Sequence, residues 1–187
     1  MTKSTKTTRK KRTTNKPSSD VRSGLRWLLI PGSAVLLALL LNMYILVFAT
    51  VPSGSMAPTV PEGSLLLGSR LAYCSAAPQR GDVVFFRHEE LGRSLILKRV
   101  IAVGGDTFRI TDGQVFINDQ PLEEPYITGQ KQDRYPAVTV PEGKLVLLGD
   151  NRDHSTDSRF WEEPFVDRSC VVAKAVFLLY PYWKTLS

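Results

Sequence analysis

The sequence predicts a mainly β fold, an antiparallel β domain behind one N-terminal transmembrane helix. Three observations carry this. A run free of charged residues, Trp27 to Thr50, lies near the amino end of the 187-residue chain. Short aliphatic, β-branched and aromatic runs then recur between turn residues. No amphipathic helical pattern of any length accompanies them.

The charge comes first because it is unevenly placed. The chain carries 24 Lys+Arg against 18 Asp+Glu, a formal charge of +6. Residues 1–26 hold nine basic residues and one acid, Asp20, which is +8; the other 15 basic and 17 acidic residues make −2. The basic excess is therefore a tail and no property of the folded body, so nucleic acid is not expected as a partner. With almost no apolar residue, 1–26 is expected to be a disordered basic tail. Overall, 43% hydrophobic and 22% charged residues exclude a wholly disordered or collagen-like chain. Two cysteines exclude a disulfide-rich miniature scaffold and a paired Cys-x-x-Cys zinc knuckle.

Residues 27–50 come next. About 20 apolar residues in a helix cross the hydrocarbon layer of a bilayer. Pro31 falls in the first turn, where its missing N–H costs little. Asn42 is the strongly polar residue inside, and Trp27 and Tyr44 suit the membrane interface. A cleaved secretory signal has a shorter apolar region and an Ala-x-Ala-like site; here Val51-Pro52-Ser53 follows. The positive-inside rule puts the tail in the cytoplasm and 51–187 outside, as a single-pass protein of the cell membrane. The tail is then a topology determinant that also meets anionic lipid.

Residues 51–187 read as one extracytoplasmic β domain. Strands are expected at Ser64–Leu67, Asp82–Phe86, Leu95–Val103, Thr107–Thr111, Gln114–Asn118, Lys144–Leu148 and Val171–Tyr180. Asp112-Gly113 between two such runs signals a type I′ hairpin. Asn118-Asp119 and Pro141-Glu142-Gly143 mark further turns, and Pro121–Ala137, polar and Pro-containing, reads as a long loop. Val171–Tyr180 is interrupted by Lys174 and is too short for a second span.

Three segments carry chemistry. The first is Pro52-Ser53-Gly54-Ser55-Met56-Ala57-Pro58-Thr59. Alone, its serines are no more than turn residues that bond locally. The second is Leu95–Val103, where period two puts Ile96, Lys98, Val100 and Ala102 on one face. Lys98 is then an ammonium among aliphatic side chains, and desolvation lowers its pKa from about 10.4. A neutral lysine amine is a competent general base. Arg99 cannot serve, because a guanidinium stays protonated. Without a partner motif, Lys98 would be an edge-strand or snorkelling lysine. The third segment, Gly149-Asp-Asn-Arg-Asp-His-Ser-Thr-Asp-Ser-Arg159, is almost entirely polar. It lacks the central Gly and final Glu of a calcium loop, and it reads as a hydrogen-bond network supporting a site. His154 within it is expected to be solvated, which weighs against a Ser-His-Asp triad. His88, in the polar stretch Arg87–Arg93, is expected at the surface.

These segments, with Gly81-Asp-Val-Val-Phe85 and Lys98-Arg-Val-Ile-x-x-x-Gly-Asp106, stand in the order of the boxes of bacterial type I signal peptidases. The basic tail and apolar run in front match that layout. The chain resembles this S26 family of Ser–Lys serine peptidases over roughly residues 27–180. The resemblance implies a signal-peptidase-like β domain with Ser55 as nucleophile and Lys98 as its general base. It implies an oxyanion hole from the Ser55 N–H and the Ser53 hydroxyl. Ser155 would bond the Lys98 amine, Asp157 and Arg159 would pair, Asp150 would pair with Arg99, and Met56 would sit near the membrane. No metal or cofactor is implied. The implied partners are the lipid bilayer and secretory preproteins with small residues before the cut, bound as an added strand. The chain departs from the family at Ala102 and Gly104, where Gly and Pro are usual, and at Glu162-Glu163-Pro164. These departures leave open a specialised peptidase for pilin or conjugation substrates. An inert membrane-anchored binding relative would be expected to lack Ser55 or Lys98, and both are present. Self-cleaving repressors of Ser–Lys type carry a DNA-binding helical domain where this chain has its apolar run. Cys74 and Cys170 fall on the outer side, where disulfides form, and the sequence leaves their pairing open.

Overall fold

The structure, a computed structural model, describes residues 19–88, 92, 94–129 and 132–186. Most of the expected tail, residues 1–18, lies outside the described residues. Helix α1 (Ser19–Tyr44) contains Pro31, and up to Leu39 it belongs to a compact unit distinct from Leu40–Ser187. Among the described residues, no helix is long and apolar enough to cross a membrane. The helix also departs from the expected bounds at both ends. It begins at Ser19, inside the expected tail, and it stops at Tyr44. Leu46–Thr50 is not helical; it forms strand β1 and pairs antiparallel with β2 (Leu65–Ser69). Apolarity alone cannot separate a buried strand from a helix, and here partner strand β2 decides.

The larger unit is antiparallel β. After β1 and β2 come β3 (Val83–Phe86), β4 (Ile96–Val103), β5 (Thr107–Thr111), β6 (Gln114–Ile117) and β7 (Gln120–Pro121). Then follow β8 (Tyr135–Thr139), β9 (Lys144–Leu148), β10 (Val166–Asp167), β11 (Val171–Tyr180) and β12 (Lys184–Thr185). Among the described residues, one sheet runs β1-β2-β11-β3-β4-β9-β10, with β12 on β11. A smaller sheet runs β7-β6-β5-β8. The Asp112-Gly113 turn has positive φ at both residues (51° and 82°), as a type I′ turn requires, and joins β5 to β6. Asn118 and Asp119 (φ 51° and 63°) turn β6 into β7 in the same manner. Strand β8 corrects the expected loop over 121–137. Pro136 withdraws a donor and so hides the strand in the sequence, but β8 lies on the sheet edge, where that donor is not needed.

Strand β4 organises the site. Ile96–Arg99 pair with β3, and Arg99–Val103 pair with β9, with a bulge between Val100 and Ala102. The bulge breaks the expected period-two face. Ile96 and Val100 pack with Val84, Phe86 and Leu147, whereas Ala102 joins Ile101 and Phe108 in a separate cluster. Beyond β4, Gly104 packs on the turn at 141–143. A Cβ there would lie 2.9 Å from Glu142 Cα and 3.0 Å from both Gly143 N and Pro141 O. All three are backbone atoms and cannot swing away. Gly104→Ala is expected to cost about 1–3 kcal/mol by overpacking, read as a lower denaturant midpoint at unchanged slope.

Candidate active site

Ser55 sits in a single 3₁₀ turn, Gly54–Met56, just past β1. The turn is anchored from below. Met56 is fully buried in the core with Val51, Val60, Leu66, Phe85 and Leu97. Met56 thus stands beside the nucleophile, as the resemblance implies, with its side chain serving as a core anchor. The turn is held from the side by Asn151, whose N–H donates to Ser55 O (3.1 Å) and whose Nδ2 donates to Gly54 O (3.1 Å).

Lys98 reaches this turn from β4, and its Nζ donates to Ser55 Oγ at 2.7 Å. Lys98 is 3% exposed. Burial lowers its pKa to about 8; the Arg159 cation adds to the fall, while Asp157 and Asp150 oppose it. A substantial share of the amine is therefore neutral at mildly alkaline pH and can accept the Ser55 proton. The Ser53 hydroxyl lies 3.4 Å from Ser55 Oγ, on an exposed residue in extended conformation.

The polar loop after β9 surrounds the pair. Asp150 accepts from Arg99 Nε (2.8 Å) and Nη2 (2.7 Å), and both side chains are buried. Asp157 accepts from Arg159 Nε (2.8 Å) and Nη2 (2.9 Å) and from Gly149 N (3.0 Å). Both expected ion pairs thus form. Ser155 does not do what was expected of it. It is buried, yet its Oγ has no hydrogen-bond partner. It packs against Gly149 instead: a Cβ on Gly149 would fall 2.2 Å from Ser155 Oγ and 2.5 Å from Ser55 O. A glycine at 149 is what lets the loop close onto the nucleophile's backbone.

The structure adds residues that the sequence reading left out. Glu124 and Arg152 form a third buried bidentate pair. The Tyr126 ring covers the Arg99 guanidinium at 3.9 Å. Thr128 N donates to Asp150 O (3.1 Å), and its hydroxyl donates to Ala57 O (3.3 Å). Asp133 accepts from Arg159 Nη1 (2.5 Å). Four of these partners lie in the segment read as a loop, where no local periodicity marks them. His154 is exposed, as expected. His88 is not at the surface; its ring is buried and stacks on Trp161 at 4.7 Å. Cys74 and Cys170 are free thiols.

Beside the pair lies a cavity of about 200 Å³, bounded by Ala49, Val51, Ser53, Phe85, Leu95 and Leu97, with Ser55 and Lys98 in its wall. Larger hollows of about 500 and 690 Å³ open beside Cys74 and beside Asp112, but neither is lined by Ser55 or Lys98. The chemistry singles out the small one.

Comparison with known proteins identifies the family. The family model described as "Signal peptidase, peptidase S26" matches residues 24–180. A probable signal peptidase I-1 from Synechocystis sp. is 37% identical over 156 residues, 79% of this chain and 78% of that protein. A signal peptidase I from Leptolyngbya laminosa is 33% identical over 173 residues, 89% of this chain and 83% of that protein. A solved signal peptidase I from Enterococcus faecalis is 28% identical, with a TM-score of 0.46, over 53% of this chain and 97% of that one. The chain belongs to the signal peptidase family, peptidase S26.

Proposed function

We infer that this chain is a serine endopeptidase that removes signal peptides from secreted preproteins by Ser–Lys acyl-enzyme chemistry. The observation that carries the reading is the buried Lys98 amine, 2.7 Å from Ser55 Oγ, with its pKa lowered to about 8. In the first half-reaction neutral Lys98 takes the Ser55 proton as Oγ attacks the scissile carbonyl, then gives that proton to the leaving amine. In the second, Lys98 deprotonates the water that attacks the acyl carbonyl, then returns that proton to Ser55 Oγ as the acyl–Oγ bond breaks, which regenerates the serine and the neutral amine. The oxyanion is met by the Ser55 N–H and the Ser53 hydroxyl, fixed donors that act on charge developing in the transition state. Arg99–Asp150 and Arg159–Asp157 hold the elements that carry the pair, and Ser155 fills the space behind Ser55.

The substrate lies as an extended strand. Among the described residues, β1 pairs only with β2, and Ile96–Lys98 pair only with β3, which leaves backbone groups on both sides of the cavity to take an added strand. A cavity of about 200 Å³ takes small side chains, which fits cutting after Ala-x-Ala-like sequences.

The same reading places the protein in a membrane. From Trp27 to Leu40, every α1 side chain that the structure describes is exposed, and most are apolar. A helix apolar on all sides is at rest only in an apolar surround. The basic tail is then cytoplasmic and residues 51–187 extracytoplasmic. On the β unit, Phe48, Leu67 and Phe177 share one rung, and Phe48, Phe177, Tyr180, Tyr182 and Trp183 are all exposed. Such an aromatic face suits the headgroup layer.

The test is cleavage of a preprotein by the detergent-solubilised full chain beside Ser55→Ala, with the cut mapped by mass spectrometry. A Ser55-dependent cut after an Ala-x-Ala-like site is expected. A folded wild-type chain that cuts no preprotein, or a Ser55→Ala chain that still cuts, would overturn the reading.

A further inference from the structure

We propose that Gly68, a strand residue with no part in the chemistry, sets the largest substrate side chain that the cavity beside Ser55 accepts. It does so by deciding where the Phe85 ring lies. The inference rests on the proposed function and adds a specificity determinant to it.

Phe85 is a wall of the cavity and is 2% exposed. It stands on β3 opposite Leu97 of β4 on one side and Ala173 of β11 on the other. Across β11, Gly68 of β2 stands opposite Ala175. Phe85, Ala173, Ala175 and Leu66 belong to the same core cluster, so they share one face of the sheet. The ring therefore crosses β11 over two alanines and ends against the bare Cα of Gly68. A Cβ built on Gly68 would lie 2.9 Å from Phe85 Cε2 and 3.0 Å from Cδ2. It would also lie 3.2 Å from Lys174 O, which is backbone and cannot yield.

Only the ring can move, and its directions are few. Ala173, Ala175, Leu66 and Val83 are buried at 2% exposure or less, so the core beneath offers no room. The open volume next to Phe85 is the cavity itself. A methyl at position 68 thus drives the ring toward the substrate and makes the cavity shallower. Shortening Phe85 does the reverse. In a pocket of this kind a single methylene is worth about 10–200-fold in discrimination between substrates. Gly68 touches neither substrate nor dyad. It is a positioning residue, and its signature is a change in ratio between substrates and not a uniform loss.

The experiment compares kcat/KM of the full-length chain in detergent on peptides spanning a cleavage site, with Gly, Ala, Val or Leu at the first or third position before the cut. The parent chain, Gly68→Ala, Phe85→Val and the double variant are measured together. Gly68→Ala is expected to lower the Val/Gly ratio by about tenfold or more at one of the two positions. Phe85→Val is expected to raise the Val/Gly and Leu/Gly ratios at that same position by a similar factor. In the double variant the effect of Gly68→Ala should vanish, because no ring is left to push. If Gly68→Ala fails to fold, the double variant and Phe85→Val still decide: a double variant that fails to match the Phe85→Val ratios overturns the proposal. A uniform loss on all peptides in Gly68→Ala, or an equal shift with and without Phe85, also overturns it and leaves the function standing. No cleavage of any peptide by the parent chain overturns the function and this inference with it.

Discussion

Lys98→Arg and Lys98→Ala are both expected to process preprotein at least about 10³-fold more slowly than the parent chain, because a general base contributes about 10²–10⁴ and the nucleophile is idle without it. Arginine keeps the charge and much of the length but stays protonated, so it cannot accept the Ser55 proton. An active Lys98→Arg chain would show that position 98 supplies only charge. The parent's kcat/KM should rise with pH through a midpoint near 8, the value to which burial lowers the amine. A profile flat from pH 6 to 10 would remove Lys98 as the base. The same shift costs folding energy. The folded-state pKa of Lys98 lies below its unfolded value, so between about 8 and 10.5 the unfolded chain binds more protons and stability rises with pH. Below about pH 8 the penalty of the buried ammonium is fully present, on the order of 3 kcal/mol. Lys98→Met, which keeps the volume and drops the charge, is therefore expected to be inactive and to melt higher than the parent at pH 7.

That trade explains why the dyad was legible in the sequence. A lysine inside Leu-Ile-Leu-Lys-Arg-Val-Ile breaks the rule that strand interiors are apolar, and such local conflict marks functional sites. The order of the short boxes then paired Lys98 with a serine 43 positions away. Hairpins at Asp112-Gly113 and Asn118-Asp119 were legible because positive φ selects particular residues. Other features left no such mark. β1 continues an apolar run, and only its pairing with β2 makes it a strand. β8 is masked by Pro136, which an edge strand tolerates. Glu124, Tyr126 and Asp133 are ordinary surface types in a polar segment. What makes them part of the site is that the segment folds back onto Arg99, Arg152 and Arg159, and chain return over such distances has no local periodicity. His88 was misplaced for a related reason: the composition of its neighbours in sequence says little about its neighbours in space.

Asp150→Ala is expected to be the most destabilising single change in the supporting network. Arg99 and Asp150 have side chains only 4% and 1% exposed, so removing the carboxylate leaves a guanidinium buried and uncompensated. Breaking such a pair costs about 3–5 kcal/mol. For a chain of this size that is a fall of roughly 6–20 °C in Tm. Residual bonds from Arg99 to Gly81 O (2.8 Å) and the Tyr126 ring cannot offset it, since neither carries a negative charge. Arg134–Asp112 provides the comparison. Its side chains are 78% and 56% exposed, and Asp112→Asn there should cost about 1 kcal/mol or less. The decisive variant is Arg99→Met with Asp150→Leu, which removes both charges at once. If burial of an unpaired charge is the cause, the double change recovers most of the stability lost by Asp150→Ala. It should not recover activity, because the loop carrying Asn151 is then free to drift from the Ser55 turn that it holds at 3.1 Å. A double variant as unstable as Asp150→Ala would instead mean that the pair contributes through its shape and hydrogen bonds, with charge secondary.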